Sequence, residues 1–409
     1  MKHTKLIMIL LAASSLLSCT NQNDAKTQEG TFEWEIDQFA DIRIMRYQVP
    51  GWDDLDLKQK ELIYYLNQAA LCGRDIIFDQ NYKHNLSIRR ILEAVYQDYP
   101  GDRDAQGWKD FTVYLKRVWF SNGIHHHYST DKFLPLFEQE YFAMLVNETP
   151  SESFPKELGA KSDIIAKYSP IIFDPAIDSK RVNQEAGMDV VSASANNYYE
   201  GVTQKEAEAF YAKMVMPNDP EPISYGLNSK LVKEGNKIVE RVWKVGGMYG
   251  AAIEKINYWL QKASQVAENP KQKQIIETLI EYYQTGDLKK FDKYSILWVT
   301  DLESRIDFVN GFIENYGDPM GYKASWESLV NYTDIEATKR TVILSTNAQW
   351  FENNSPVDPV FKKETVKGVS AKVINAAMLG GDCYPSTPIG INLPNPDWIR
   401  AKHGSKSVT

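Results

Sequence analysis

Two carboxylates and a phenol fall close together between residues 306 and 330. Phe308, Asn310, Phe312, Glu314 and Tyr316 alternate with Val309, Gly311 and Ile313, the period of a strand. That period puts Glu314 and Tyr316 on one side of it. Asp318-Pro319-Met320-Gly321 follows, with the residue preferences of a type I turn. The segment 322–330 returns with Trp326 and Glu327. These residues read as a hairpin that holds Glu314 and Glu327 near each other. A carboxylate on the apolar side of a strand costs free energy unless something pairs it. Two partners are open at this point: a local salt bridge, for instance with Lys323, or a ligand cation such as the free amino group of a peptide.

Two further clusters bear on chemistry. His125-His126-His127 lies between Asn122-Gly123-Ile124 and Tyr128. Adjacent side chains diverge in regular structure, whereas metal ligands on one helix face need spacings of about three to five. No His is followed by Glu and then a second His. The run therefore reads as a loop lining a cleft, with one His oriented by a hydrogen bond, rather than as a zinc site. Residues 388–395, Pro-Ile-Gly-Ile-Asn-Leu-Pro-Asn, read as an edge strand, because Pro cannot donate to a central ladder. Such an edge can take an extended peptide as an added strand; an ordinary loop with turn-forming Asn and Pro is the other reading. Cys72 and Cys383 are read as buried core thiols, since one distant pair makes no disulfide framework.

The elements that must position these groups are mostly helical. Residues 32–50 suggest one or two strands. Leu62, Tyr65, Leu66 and Ala69 form the apolar stripe of a helix over 57–72, which Gly73 can close. A second helix covers 86–98. Thr203 and Glu206 form a capping box ahead of a helix over 204–215. Helices over 247–265 and 271–285 follow, the latter stopped by Gly286. The chain is 43% hydrophobic and 24% charged, as in a globular protein. A net charge of -8 disfavours nucleic acid as a partner. The 23 Tyr, 16 Phe and 10 Trp serve either as ligand platforms or as core filler.

The N-terminus carries an address. Lys2 and Lys5 precede the apolar run Leu6 to Leu17, which ends Leu16-Leu17-Ser18-Cys19. The run is too short to span a bilayer and fits a signal peptide over 1–18. Its ending resembles the bacterial lipoprotein signal, which implies a lipid on Cys19, a flexible tether over 19–31, and a location in the cell envelope, membrane-anchored outside the cytoplasm. A plain secretory signal is the alternative.

From about residue 32 onward the sequence resembles the dipeptidyl peptidase III zinc exopeptidases. The resemblance rests on Gly311 to Tyr316 with Asp318 to Gly321, on Trp326-Glu327, on Pro388 to Asn395, on Asn122 to Phe133, and on Asn197 to Thr203. It implies an α+β fold, a mostly helical two-lobe peptidase with a five-stranded β-core in the lower lobe. On that basis residues 32–335 are the lower lobe, 336–373 begin the upper helical lobe, and 374–409 return to the edge of the β-core. It further implies that Glu314 and Tyr316 grip the free N-terminus of an oligopeptide substrate, with Glu327 nearby. Asn392, Asn395 and Gly390 would hold the peptide backbone, and Tyr128 would line the pocket for its first residue. Gly317 and Ser325 depart from the mammalian pattern of Arg and Glu, which changes the charge of that pocket.

The family's zinc motif, His-Glu-x-x-Gly-His, is not in this sequence, so zinc as cofactor comes from the resemblance alone and no metal ligand or catalytic residue is assigned here. The expectation is a metallopeptidase of the dipeptide-releasing type, present as a front portion without most of the zinc lobe and inactive alone. The alternatives are a non-catalytic peptide-binding lipoprotein and a glycan-binding lipoprotein.

Overall fold

The computed structural model describes residues 32–366, 369–385 and 388–409. The expected signal segment, the lipidated Cys19 and the tether lie outside the described residues. The chain divides into two compact units, one ending at Gln48 and the other running from Val49 to Thr409. In the first unit the described residues form a hairpin of β1 (Glu35–Phe39) and β2 (Ile42–Met45), closed by an Arg43–Glu35 ion pair at 3.3 Å.

The second unit opens with α1 (Leu57–Cys72), α2 (Arg74–Asn81), α3 (Asn85–Asp98) and α4 (Gln106–Phe120). Then come α5 (Gln139–Glu148) and α6 (Lys161–Phe173). Asp56 caps α1 by accepting from the Gln59 amide at 2.8 Å, and Gly73 ends it as the sequence predicts. Gly73 is required for packing as well: a Cβ there would fall 2.1 Å from the ring of Trp326. Apolar faces of α2 to α6 pack on one another in a helical core around Phe111, Ile88 and Phe142.

After a long connection come β3 (Tyr199–Glu200), α7 (Gln204–Ala212), β4 (Ser229–Glu234) and β5 (Lys237–Val242). The capping box of Thr203 and Glu206 is present, although α7 stops short of the expected 215. Next are α8 (Gly250–Gln265), α9 (Pro270–Thr285) and α10 (Leu288–Val299). Gly286, at φ 71°, closes α9 in the left-handed conformation that glycine adopts without a Cβ penalty.

The strands that carry the predicted chemistry follow: β6 (Ile306–Glu314) and β7 (Ser325–Thr333). Beyond them lie α11 (Ile335–Thr346), α12 (Ala348–Asn354), β8 (Val369–Lys372) and β9 (Ile374–Gly381). The chain finishes with β10 (Ile391–Leu393), α13 (Asp397–His403) and β11 (Ser405–Val408). One sheet has the order β6-β7-β9, wholly antiparallel, and another β10-β11-β8. The resemblance implied one five-stranded core. Among the described residues no sheet exceeds three strands, because Val373 interrupts the path 369–381 between β8 and β9. Helices α1, α8, α9 and α10 bury Leu62, Ile256, Leu279 and Trp298 against β6 and β7. The fold is α+β, and among the described residues no helix is long and apolar enough to cross a membrane.

Candidate functional site

Glu314 ends β6, Glu327 lies near the start of β7, and Asp382 follows the end of β9. Antiparallel pairing therefore brings three carboxylates to one end of one sheet, with Glu327 opposite both Gly311 and Gly381. They line a cleft of about 730 Å³. Tyr128, Tyr316, Gly390, Asn392 and Asn395 line it too, so all seven residues expected to bind substrate come together at one place.

The strand alternation predicted for Glu314 fails by one residue. A β-bulge at Ile313 separates Phe312, which pairs with Trp326, from Glu314, which pairs with Ser325. Regular alternation would send Glu314 into the core with Phe312, which is fully buried against Trp243. The extra residue bends the strand and re-aims the carboxylate. The suggested local partner, Lys323, is elsewhere: it is fully buried, hydrogen-bonds Tyr211 and Ser229, and lies 3.7 Å from Glu240. Glu314 accepts instead from the Asn395 amide at 3.2 Å. Burial raises its pKa, the Asn395 bond opposes that, and Asp382 adds to it.

Glu327 is 4% exposed. Burial pushes its pKa well up, and Glu314 and Asp382 push the same way. Its neighbour is the Cys383 thiol, Sγ to Oε2 3.5 Å. Cys383 is thus buried as expected but borders the cleft, whereas Cys72 is only half-buried. Asp382 is also raised by burial, with Arg181 opposing. Arg181 is fixed by Asn81 Oδ1 at 2.9 Å and the His127 carbonyl at 3.3 Å. Among the lining residues the three carboxylates face two guanidinium groups, Arg181 and Arg400. Fully ionised, they leave one negative charge uncompensated, which a terminal ammonium would balance.

The turn after β6 is rigid. Gly321 N–H donates to the Asp318 carbonyl at 3.0 Å, the bond of the predicted β-turn. The Asp318 carboxylate accepts from the amides of Tyr322 and Lys323 and from the Tyr199 hydroxyl, each at 2.8 Å. Tyr316, just before this turn, is 81% exposed and free to meet a ligand. A Cβ on Gly317 would lie 2.9 Å from Ser325 Oγ and 3.6 Å from Arg181. The small residues at 317 and 325 thus make room for a guanidinium that arrives from a distant part of the chain.

Strand β10 is an edge: it bonds β11 on one side only. Gly390 precedes it where a Cβ would sit 2.8 Å from Thr409 Oγ1. Asn392 Oδ1 accepts from Ser407 at 3.3 Å, and Asn395 also donates to the Ile313 carbonyl at 3.3 Å. Tyr128 is largely exposed, and its amide and that of Ser129 donate to His126 Nδ1 at 3.1 and 3.2 Å. The other two histidines are engaged separately, His125 with the Asp178 carbonyl at 2.7 Å and His127 with Ser121 at 3.2 Å. Among the described residues no group of three or more His, Cys, Asp or Glu is placed to hold a metal. The donor set present does not fit zinc, and no step is derived through it. Asp382 and Arg181 carry no signal of a site role in the sequence, Asn122 appears there only as part of the loop expected to line a cleft, and Cys383 reads only as a core thiol. Asn122, in a left-handed conformation at φ 54°, ties the wall by donating to the Tyr384 carbonyl at 2.5 Å.

Dipeptidyl peptidase 3 of Dictyostelium discoideum is 20% identical over 374 residues, which is 86% of this chain and 52% of that protein. The protein of the same name from Rattus norvegicus is 23% identical over 385 residues, covering 85% and 51%. The chain spans about half the length of the curated relatives it matches. The solved structure of dipeptidyl-peptidase III from Corallococcus sp. strain EGB superposes with a TM-score of 0.63 at 19% identity, over 91% of this chain and 56% of that one; it shows a shared fold. Peptidase family M49 matches residues 191–409, a stretch that includes Glu314, Glu327, Asp382 and the β10 edge, and the chain belongs to that family.

Proposed function

We propose that the cleft grips the free N-terminus of an oligopeptide, as the substrate-binding part of a peptidase of the dipeptide-releasing type. The observation that carries this reading is the convergence of three partly or wholly buried carboxylates with an unpaired strand edge in one cleft. An extended peptide adds to β10 by main-chain hydrogen bonds, with Asn392 and Asn395 at its flank. Its terminal ammonium enters beside Glu314, where Tyr316 covers it. The ammonium supplies a cation beside Glu314 and Glu327, adding to the partial compensation that Arg181 gives Asp382, and displaces the proton that burial favours on them. No bond-breaking step is assigned to these residues.

Calorimetric titration with a tetra-alanine peptide tests the reading. The free peptide should bind, its N-acetylated form should bind more weakly by on the order of tenfold or more, and Glu314→Gln should erase the difference. Equal affinity for free and acetylated peptides would overturn it. We propose also that Cys19 carries a lipid that anchors the protein at a bacterial envelope membrane, which the residues before it support. Incorporation of labelled palmitate, lost in Cys19→Ser, checks this.

A further inference from the structure

A second acidic hollow lies next to the cleft. Beneath the chain path 393–396, Phe291, Trp298, Leu393 and Pro394 enclose a narrow cavity of about 50 Å³. Asp292 of α10 lines it and is 9% exposed. Among the described residues no hydrogen bond or ion pair reaches its carboxylate, and its oxygens are not sealed from solvent. Buried carboxylates are ordinarily paired. Here the charges that act on it are those of Asp287 and Glu221, which repel it, and Lys402 is occupied by Glu221 at 2.7 Å. A wider hollow of about 370 Å³ shares Ile313 and Asn395 with this cavity, and Glu314, Tyr316 and Asn395 with the cleft. The cavity is therefore approached from the side of Asn395.

Apolar and aromatic walls around one unneutralised carboxylate complement a cation on an apolar stem, whose stem packs on the rings while its head pairs with the acid. A water-sized group needs roughly 10–15 Å³ of such space, so the cavity admits about three to five non-hydrogen atoms, the size of the end of a lysine side chain. We propose that this cavity binds a primary alkylammonium group, with Asp292 as its counter-ion and Phe291, Trp298 and Leu393 as its walls. The inference does not rest on the reading of the main cleft.

Titration of the full chain with n-butylammonium at about pH 8, where Asp292 is ionised, tests it, followed through the methyl NMR signals of Leu393 and Ile313. Saturable shifts are expected, with n-butanol binding weaker by on the order of tenfold or more. Asp292→Asn should weaken butylammonium by a similar factor. Absence of saturable shifts, equal binding of butanol, or an unchanged affinity in Asp292→Asn would each overturn the proposal. Because butanol is compared on the unaltered protein, the test stands even if a variant folds poorly. With the site established, Lys-Ala-Ala and its norleucine counterpart identify the source: displacement by the lysine peptide alone marks a peptide side chain, and displacement by neither marks a free amine.

Discussion

Strand β6 carries two acids that meet opposite fates. Asp307 near its start is saturated: Lys406 of β11 donates to it at 2.8 Å, the Trp298 indole at 2.8 Å and the Phe308 amide at 2.8 Å. Lys406 in turn lies over the Trp298 ring at 4.1 Å. Glu314 at the other end has one amide from Asn395 and two acidic neighbours. The first acid joins β6 to β11. The second is held in place with its charge left unanswered, which is the condition for recognising a cation from outside.

Breaking the saturated end should have the largest effect. Lys406→Met leaves Asp307 buried without its cation, and should cost about 3–5 kcal/mol of stability in denaturant titration. Glu314→Gln should cost little stability and act on peptide affinity alone. If both variants lost similar stability, the contrast between the two ends would fail. Next in size, Gly73→Ala should destabilise by about 2 kcal/mol or more, since its Cβ overlaps Trp326 and the fully buried ring has no room to move; this reports on the frame rather than the charges.

The pH dependence sharpens the comparison. Burial raises Asp292 from 3.8 to about 7, so the folded state holds its proton more tightly than the unfolded chain does. Its contribution to stability is fully present below about pH 4 and is lost as pH rises through about 7. Glu327 is raised for the same reason and acts in the same sense. Thermal unfolding of Asp292→Asn should therefore show a flatter decline between about pH 4 and 7 than the unaltered protein. A decline of unchanged slope would show that the carboxyl is solvated. The smallest effect is expected for Asn392→Ala: a few-fold loss of peptide affinity by calorimetry, about 0.5–1.5 kcal/mol for one hydrogen bond, with no change in unfolding.

Much of this is legible along the chain. The limits of α1, the cap on α7, the stop at Gly286 and the turn at Asp318 are local matters of periodicity and side-chain capping, and they emerge as predicted. So does the edge character of 391–393, because Pro394 cannot continue a ladder. The bulge at Ile313 is not legible: it follows from competition between the Phe312 ring for the core and the Glu314 carboxylate for the cleft, and both satisfy the same alternation. Asp382 and Arg181 escape for a different reason. Each sits in an irregular segment with no motif, and acquires meaning only from what lies across the cleft.

Residue type and spacing by themselves put Glu314 and Glu327 on one hairpin and marked 388–395 as an edge, while the resemblance to the dipeptidyl peptidase III family implied the Tyr and Asn roles beside them. Only the tertiary structure decided how strongly the carboxylates are charged. Antiparallel pairing set Glu314, Glu327 and Asp382 at one end of a sheet, burial raised their cost of ionisation, and Arg181 came from far along the chain to offset part of it. Electrostatic cost depends on distance and exposure, and neither is a property of sequence order.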